Sequence, residues 1–276
     1  MLRQVVSIFI ITLLSLSALA DSSGLKLYVF NCGSIKMPSV EAFNVKDSET
    51  EVRELVVPCY IVEHEKGRLL WDGGLPSSVA NNTGKNGYDE NGGRLDKTFA
   101  EQIKALDLDM ASFDFLAFSH FHYDHVGIAN EISGARLLIQ KPEYEAAFTN
   151  KEIFQFFVPE LYSGLKTAEV EIVEGDYDVF GDGSVQLISA YGHTPGHQVL
   201  YLDLPNYGPL ILSGDLYHFR LSRSDRRVPS FNYDAELSLK AMDKVEALIV
   251  ERKAEFWIEH DMALFETLKK APGYYD

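Results

Sequence analysis

Three of the chain's eight histidines fall within six residues, in the run Ser119-His120-Phe121-His122-Tyr123-Asp124-His125. The run follows directly on the apolar stretch FDFLAF, 113–118, which reads as a buried strand. His120 and His122 are separated by one residue, so on extended backbone both side chains project to the same side. Asp124 and His125 follow at once in a turn leading toward Gly127. Imidazole nitrogens beside a carboxylate suit zinc, and with no CxxC spacing anywhere a thiolate zinc cluster is excluded. Such an H-x-H-x-D-H run can offer ligands to two metals at once.

Other residues of the same chemical type also stand where apolar runs stop. His193 follows VQLISA, Asp215 follows LILSG and His260 follows FWIE. Metal-type ligands at the ends of separate strands describe a site assembled along one edge of a sheet. Five unrelated histidines and two surface carboxylates would not share that placement.

The elements that must position these residues can be read in outline. LKLYVF (25–30) and ELVVPCYIVEH (54–64) are strand-like, and the turn EKG followed by RLLWD (68–72) predicts a hairpin. The Gly- and Asn-rich segment 77–97 predicts a long loop, and a short helix is expected over 98–106. Tyr144, Phe148, Phe154, Phe156, Phe157 and Tyr162 lie among helix formers, either as core or as an apolar wall for a substrate tail. Strands resume at 184–190, 197–204 and 209–214. Asp234 reads as an N-cap for a helix with Leu237, Ala241, Val245 and Leu248 on one face, before a last strand at 255–259. Strands in both halves with helices between them predict an α+β protein of two sheets covered by helices.

The first twenty residues carry Arg3, an apolar run and the small-residue ending Ala18-Leu19-Ala20, the layout of a cleavable secretory signal. The apolar run is shorter than the ~20 residues of a membrane span, so no stable span is expected after cleavage. Residues 21–276 then form one large domain, expected to be exported to a periplasmic or extracellular space. The formal charge of −16 disfavours nucleic acid and anionic membranes as partners and favours a small-molecule substrate. Cys32 and Cys59 could pair in an oxidising compartment or remain two buried thiols.

HFHYDH, His193 in HTPGH, Asp215 in SGDLY and His260 in IEHD together resemble the metallo-β-lactamase superfamily over most of the exported chain. The resemblance implies an αββα sandwich, two mixed sheets flanked by helices, with a dinuclear zinc site at the sheet edges. It assigns His120, His122 and His193 to one metal, Asp124, His125 and His260 to the other, and Asp215 to both. Asp72 matches an aspartate that supports the site from behind. Two cations sharing a carboxylate and a hydroxide lower the pKa of that water toward neutrality, which gives a nucleophile without a general base.

The flanking words KLYVFNCGSIKMP, VVPCYIVEHEKGRLLWDGGLP, HTPGHQVLYLDL and SGDLYHF look like the N-acyl homoserine lactonase family. That implies opening of the lactone ring of quorum-sensing signals. The rival readings are another ester, thioester or β-lactam hydrolase on the same site, or a metal-binding protein without catalysis. Members of this family carry a tyrosine three residues after the shared aspartate, where this chain has His218, with Tyr217 one position earlier. Both are therefore candidates, beside Asp124, for a catalytic role, and the family spacing favours His218. Arg220, Arg223, Arg226 and Arg227 cluster just beyond, either as surface ion pairs or as a lid or subunit contact, the latter implying a homodimer.

Overall fold

Strand β1 (Lys26–Lys36) pairs antiparallel with β2 (Glu54–His64), the register shifting between Asn31 and Ser34. The computed structural model describes residues 24–276 apart from 83, 85 and 153, so the expected signal segment, 1–20, lies outside the described residues. After a tight turn β3 (Gly67–Trp71) returns along β2, and the two-residue β4 (Gly93–Arg94) pairs with the far end of β1. Three parallel strands, β5 (Phe115–Ala117), β6 (Arg136–Gln140) and β7 (Val170–Val173), extend the sheet beyond β3.

The second sheet takes β8 (Tyr177–Asp178), β9 (Val185–Ser189), β10 (Gln198–Leu204), β11 (Gly208–Leu212) and β12 (Glu255–Trp257), neighbours in that order. Only the β11–β12 pairing is parallel. The chain closes with β13 (Tyr274–Tyr275), which returns to the first sheet beside β1.

The period of two along each strand divides the apolar side chains between layers. Leu27, Val29, Tyr60, Val62, Leu69 and Trp71 of the first sheet meet Leu187, Leu200, Leu202, Leu212 and Trp257 of the second in one buried core. Alternate residues Phe30, Cys59, Ile61 and Leu70 face outward under Phe99 of the capped α1 (Phe99–Gln102) and the segment around α2 (Lys141–Tyr144). On the other side, Val199, Tyr201 and Ile211 pack beneath Ala241, Met242 and Val245 of α4 (Ala235–Arg252). Strands covered on both faces read as continuous apolar runs, which is why β2 and β10 were visible in the sequence. The short α3 (Arg220–Asp225) and α5 (Met262–Phe265) complete the helical layers, giving the expected αββα sandwich.

Asp234 caps α4 by accepting from Leu237 N at 2.8 Å, as its position suggested. The helix expected over 98–106 is one α turn continued by a 3₁₀ turn, Ile103–Leu106. The loop 77–97 contains a 3₁₀ turn, Ser77–Asn81, as well as β4. Cys32 and Cys59 form a disulfide across β1 and β2 with Cα atoms 5.7 Å apart. Gly74 lies against it at φ +63°, where a Cβ would fall 2.3 Å from that of Cys32.

Candidate metal centre

Five strands end at one edge, and each delivers a polar residue there. β3 is parallel to β5, and β9 runs with β11 and β12 because β9 and β11 are both antiparallel to β10. Asp72 follows β3, the run Ser119 to His125 follows β5, His193 follows β9, Asp215 follows β11 and His260 follows β12. Gly127 lets the turn after His125 close onto the one after Asp72, since a Cβ there would lie 2.3 Å from the Gly74 carbonyl oxygen. All seven candidate ligands are buried.

They form two adjoining groups. One ligand atom from each of His120, His122, His193 and Asp215 lies within 4.8 Å of the others, and the same holds for Asp124, His125 and His260. His193 Nε2 is 3.2 Å from His120 Nε2 and 3.1 Å from His122 Nδ1. Asp215 joins the groups through its two oxygens. Its Oδ2 faces His193 Nε2 at 3.2 Å and His120 Nε2 at 3.6 Å, while Oδ1 faces His260 Nε2 at 2.9 Å and His125 Nε2 at 3.4 Å.

The remaining ring nitrogens of His125, His193 and His260 are tethered, which fixes both tautomer and orientation. His125 Nδ1 lies 3.1 Å from Asp72 Oδ2, His193 Nδ1 2.9 Å from Asn232 Oδ1, and His260 Nδ1 2.7 Å from the Val56 carbonyl. These oxygens can only accept, so each Nδ1 carries a hydrogen and each Nε2 is the nitrogen turned to the centre. Ser119 Oγ lies between His120 Nδ1 and His125 Nδ1 at 3.0 and 3.1 Å, and the Ser119 N–H donates to Asp72 Oδ1 at 2.6 Å.

A pair of cations fits this donor set. Among the described residues, His125 Nε2 and Asp215 Oδ1 are buried without a hydrogen-bond partner, which costs free energy unless something else satisfies them. Burial pushes His120 and His122 well below the ordinary imidazole range, keeping both rings neutral. In the second group burial acts in the same direction, but the Asp215 carboxylate outweighs it and His260 is pushed up to about 9. His125 is likewise raised, by Asp215, Asp124 and Asp72 against its burial. That half of the site attracts positive charge.

Two buried residues outside the expected set also hold the centre. Glu143 of α2 accepts from Phe121 N, Thr194 Oγ1 and Gly196 N, and burial pushes its carboxyl up to about 7. His197 accepts from Asp215 N at 2.9 Å and donates to the Ala190 carbonyl at 3.0 Å; burial lowers it to about 3, so it stays neutral. The second histidine of HTPGH was the visible signal for His197, whereas Glu143 carries no local spacing signal.

A cavity of about 450 Å³ opens over the two groups, walled by Met37, Phe43, Leu55, Phe156 and Phe231 and floored by His122, Asp124, Asp215 and His260. His218 is on its wall, with Nε2 2.9 Å from Asp215 Oδ2, and burial lowers its ring to about 4. Tyr217 points the other way, 1% exposed and packed with Ile258 and Phe256 beneath α4. The tyrosine considered for a catalytic role is therefore structural in its contacts. The larger cavity that Tyr217 lines, about 600 Å³, lies among Arg220, Arg223 and Arg226, away from the ligands. Those arginines and Arg227 pair with Asp261, Glu246, Asp243 and Glu49 respectively, as the surface-ion-pair reading has it. The aromatic run divides in the same manner. Tyr144, Phe148, Phe154, Phe157 and Tyr162 join the outer core, while Phe156, at φ +63° and 41% exposed, leans over His122 and Phe231 in the cavity mouth.

Comparison with known proteins agrees with this architecture. The family model of the metallo-beta-lactamase superfamily matches residues 52–252. The chain is 30% identical over 268 residues to the N-acyl homoserine lactonase AttM of Azorhizobium caulinodans, covering 91% of this chain and 99% of that one. It is 30% identical over 230 residues to an N-acyl homoserine lactonase of a Bacillus species, covering 81% and 88%. A solved N-acyl homoserine lactone hydrolase with the product N-hexanoyl-L-homoserine bound at its catalytic metal center superposes with a TM-score of 0.73 at 27% identity, over 90% of this chain and 98% of that one. The chain belongs to the metallo-beta-lactamase superfamily and, within it, to the N-acyl homoserine lactonase family.

Proposed function

We propose that the chain hydrolyses the lactone ring of N-acyl homoserine lactones at a pair of zinc ions. The observation that carries this reading is Asp215, whose two oxygens face two histidine-containing groups on the floor of an apolar cavity. His120, His122 and His193 would hold one ion, Asp124, His125 and His260 the other, with Asp215 between them. Nitrogen and oxygen donors without thiolate favour zinc of the hydrolytic kind. Bound zinc supplies Lewis acidity toward a carbonyl oxygen and lowers the pKa of water.

The chain's own residues do the rest. Phe43, Phe156, Phe231, Met37 and Leu55 exclude water and accept the acyl tail. His218 is the polar group on the wall nearest the candidate ligands; its Nε2–H is given to Asp215 Oδ2 at 2.9 Å, so it acts on ring opening by orienting that carboxylate. Export is part of the same proposal: the signal-like start of the chain and the disulfide both suit an oxidising compartment.

A hydrolysis panel tests the substrate class. Purified protein is given acyl homoserine lactones of several chain lengths, simple lactones, a thioester and a β-lactam. The expected ranking of kcat/KM places acyl homoserine lactones first. A thioester or β-lactam at the head of the ranking overturns the assignment.

A further inference from the structure

Carboxylates are rarely buried without partners, yet Glu143 is 2% exposed. Its partners are unusual in origin. Oε1 accepts from Phe121 N at 2.9 Å, and Oε2 accepts from Thr194 Oγ1 at 2.8 Å and Gly196 N at 2.7 Å. Phe121 stands between His120 and His122, and Thr194 follows His193. The three histidines of the first group thus come from two loops, one from each sheet, and a single side chain holds both loops. Gly196 makes the approach close: a Cβ there would lie 2.4 Å from Glu143 N. Among the described residues, the hydrogen bonds behind the second group do not reach Glu143: His125 faces Asp72 and Ser119, and His260 faces the Val56 carbonyl.

We propose that Glu143 is a positioning residue for the three-histidine half of the centre alone, setting the separation of the His120–His122 strand end from the His193 turn. This rests on the metal-dependent reading of the site. Loss of the carboxylate lets the two loops drift apart and weakens the first ion's site, while the second keeps its own tethers. Partners behind metal ligands typically change metal affinity by about 10–100-fold when removed.

The test uses the full chain loaded with cobalt(II), whose visible absorption follows each site, during metal loss to graded chelator. His122→Ala identifies the dissociation step of the three-histidine site, because that step disappears. Glu143→Gln keeps the shape but loses the charge and one acceptor, and it should move that step by about 10–100-fold while leaving the other in place. Thr194→Val, which removes one donor and spares the carboxylate, should move the same step by less and carries the test if Glu143→Gln does not fold. Both steps shifting together, neither shifting, or a shift only in the step that survives His122→Ala overturns the role of Glu143. A wild-type chain that retains no cobalt overturns the metal-dependent reading, and this inference with it.

Discussion

At the residue scale, His218 and Tyr217 show how one position of backbone separates site from core. Tyr217 packs under α4 and His218 faces the cavity 2.9 Å from Asp215. His218→Gln is expected to lower kcat by roughly 10–1000-fold, the range for a lost donor or proton-transfer group, while Tyr217→Phe leaves it near normal and both variants keep their metal. A crippled Tyr217→Phe beside a normal His218→Gln would reverse the assignment. The seven candidate ligands were legible in the sequence because each lies in the turn that ends an apolar run, so strand and turn are read together. Glu143 and Asn232 were not, because their partners are 22 to 53 residues away and are mostly backbone groups or loop side chains that no spacing announces.

At the element scale, the aromatic run shows where periodicity stops being informative. Short α and π turns over 141–149 and 3₁₀ turns over 159–161 and 163–167 flank Phe154, Phe156 and Phe157, which lie outside any helix, so no helical stripe could tell which aromatic faces inward. The positive φ of Phe156 is what separates it from its neighbour. Phe156→Ala should weaken binding of long acyl chains relative to short ones by about 1–3 kcal/mol, read as KM across a chain-length series. Phe157→Ala, at 5% exposure, should instead lower stability by about 3–5 kcal/mol in chemical denaturation without changing that preference. Equal effects of Phe156→Ala on all chain lengths would return it to the core. β6 and β7 escaped the sequence reading for a related reason. β6 is a short apolar run that passes at once into helix formers, and β7 at the sheet edge is largely uncovered, so neither has the long buried signature of β2.

At the scale of the whole molecule, two sheets deliver the candidate ligands to one edge, so anything that loosens the sheets reaches that edge. The Cys32–Cys59 disulfide closes a separation of 27 residues between the first two strands. Replacing both cysteines by alanine should lower stability by about 3–4 kcal/mol on loop-entropy grounds, measured by denaturant titration against the oxidised parent. An unchanged midpoint would mean that packing alone holds β1 to β2. The same bond agrees with the proposed export, for which mass spectrometry of the recovered protein should find a chain beginning near Asp21.

The central claim is that the two groups joined by Asp215 hold the metals that open the lactone. It is tested most directly by measuring hydrolysis of one N-acyl homoserine lactone while the metal bound per chain is raised from none to two. Turnover should be absent in the stripped protein and reach its maximum at two ions per chain, and Asp215→Ala should lose metal and turnover together. Full activity in metal-free protein, or an Asp215→Ala variant that binds two ions and turns over normally, would contradict it.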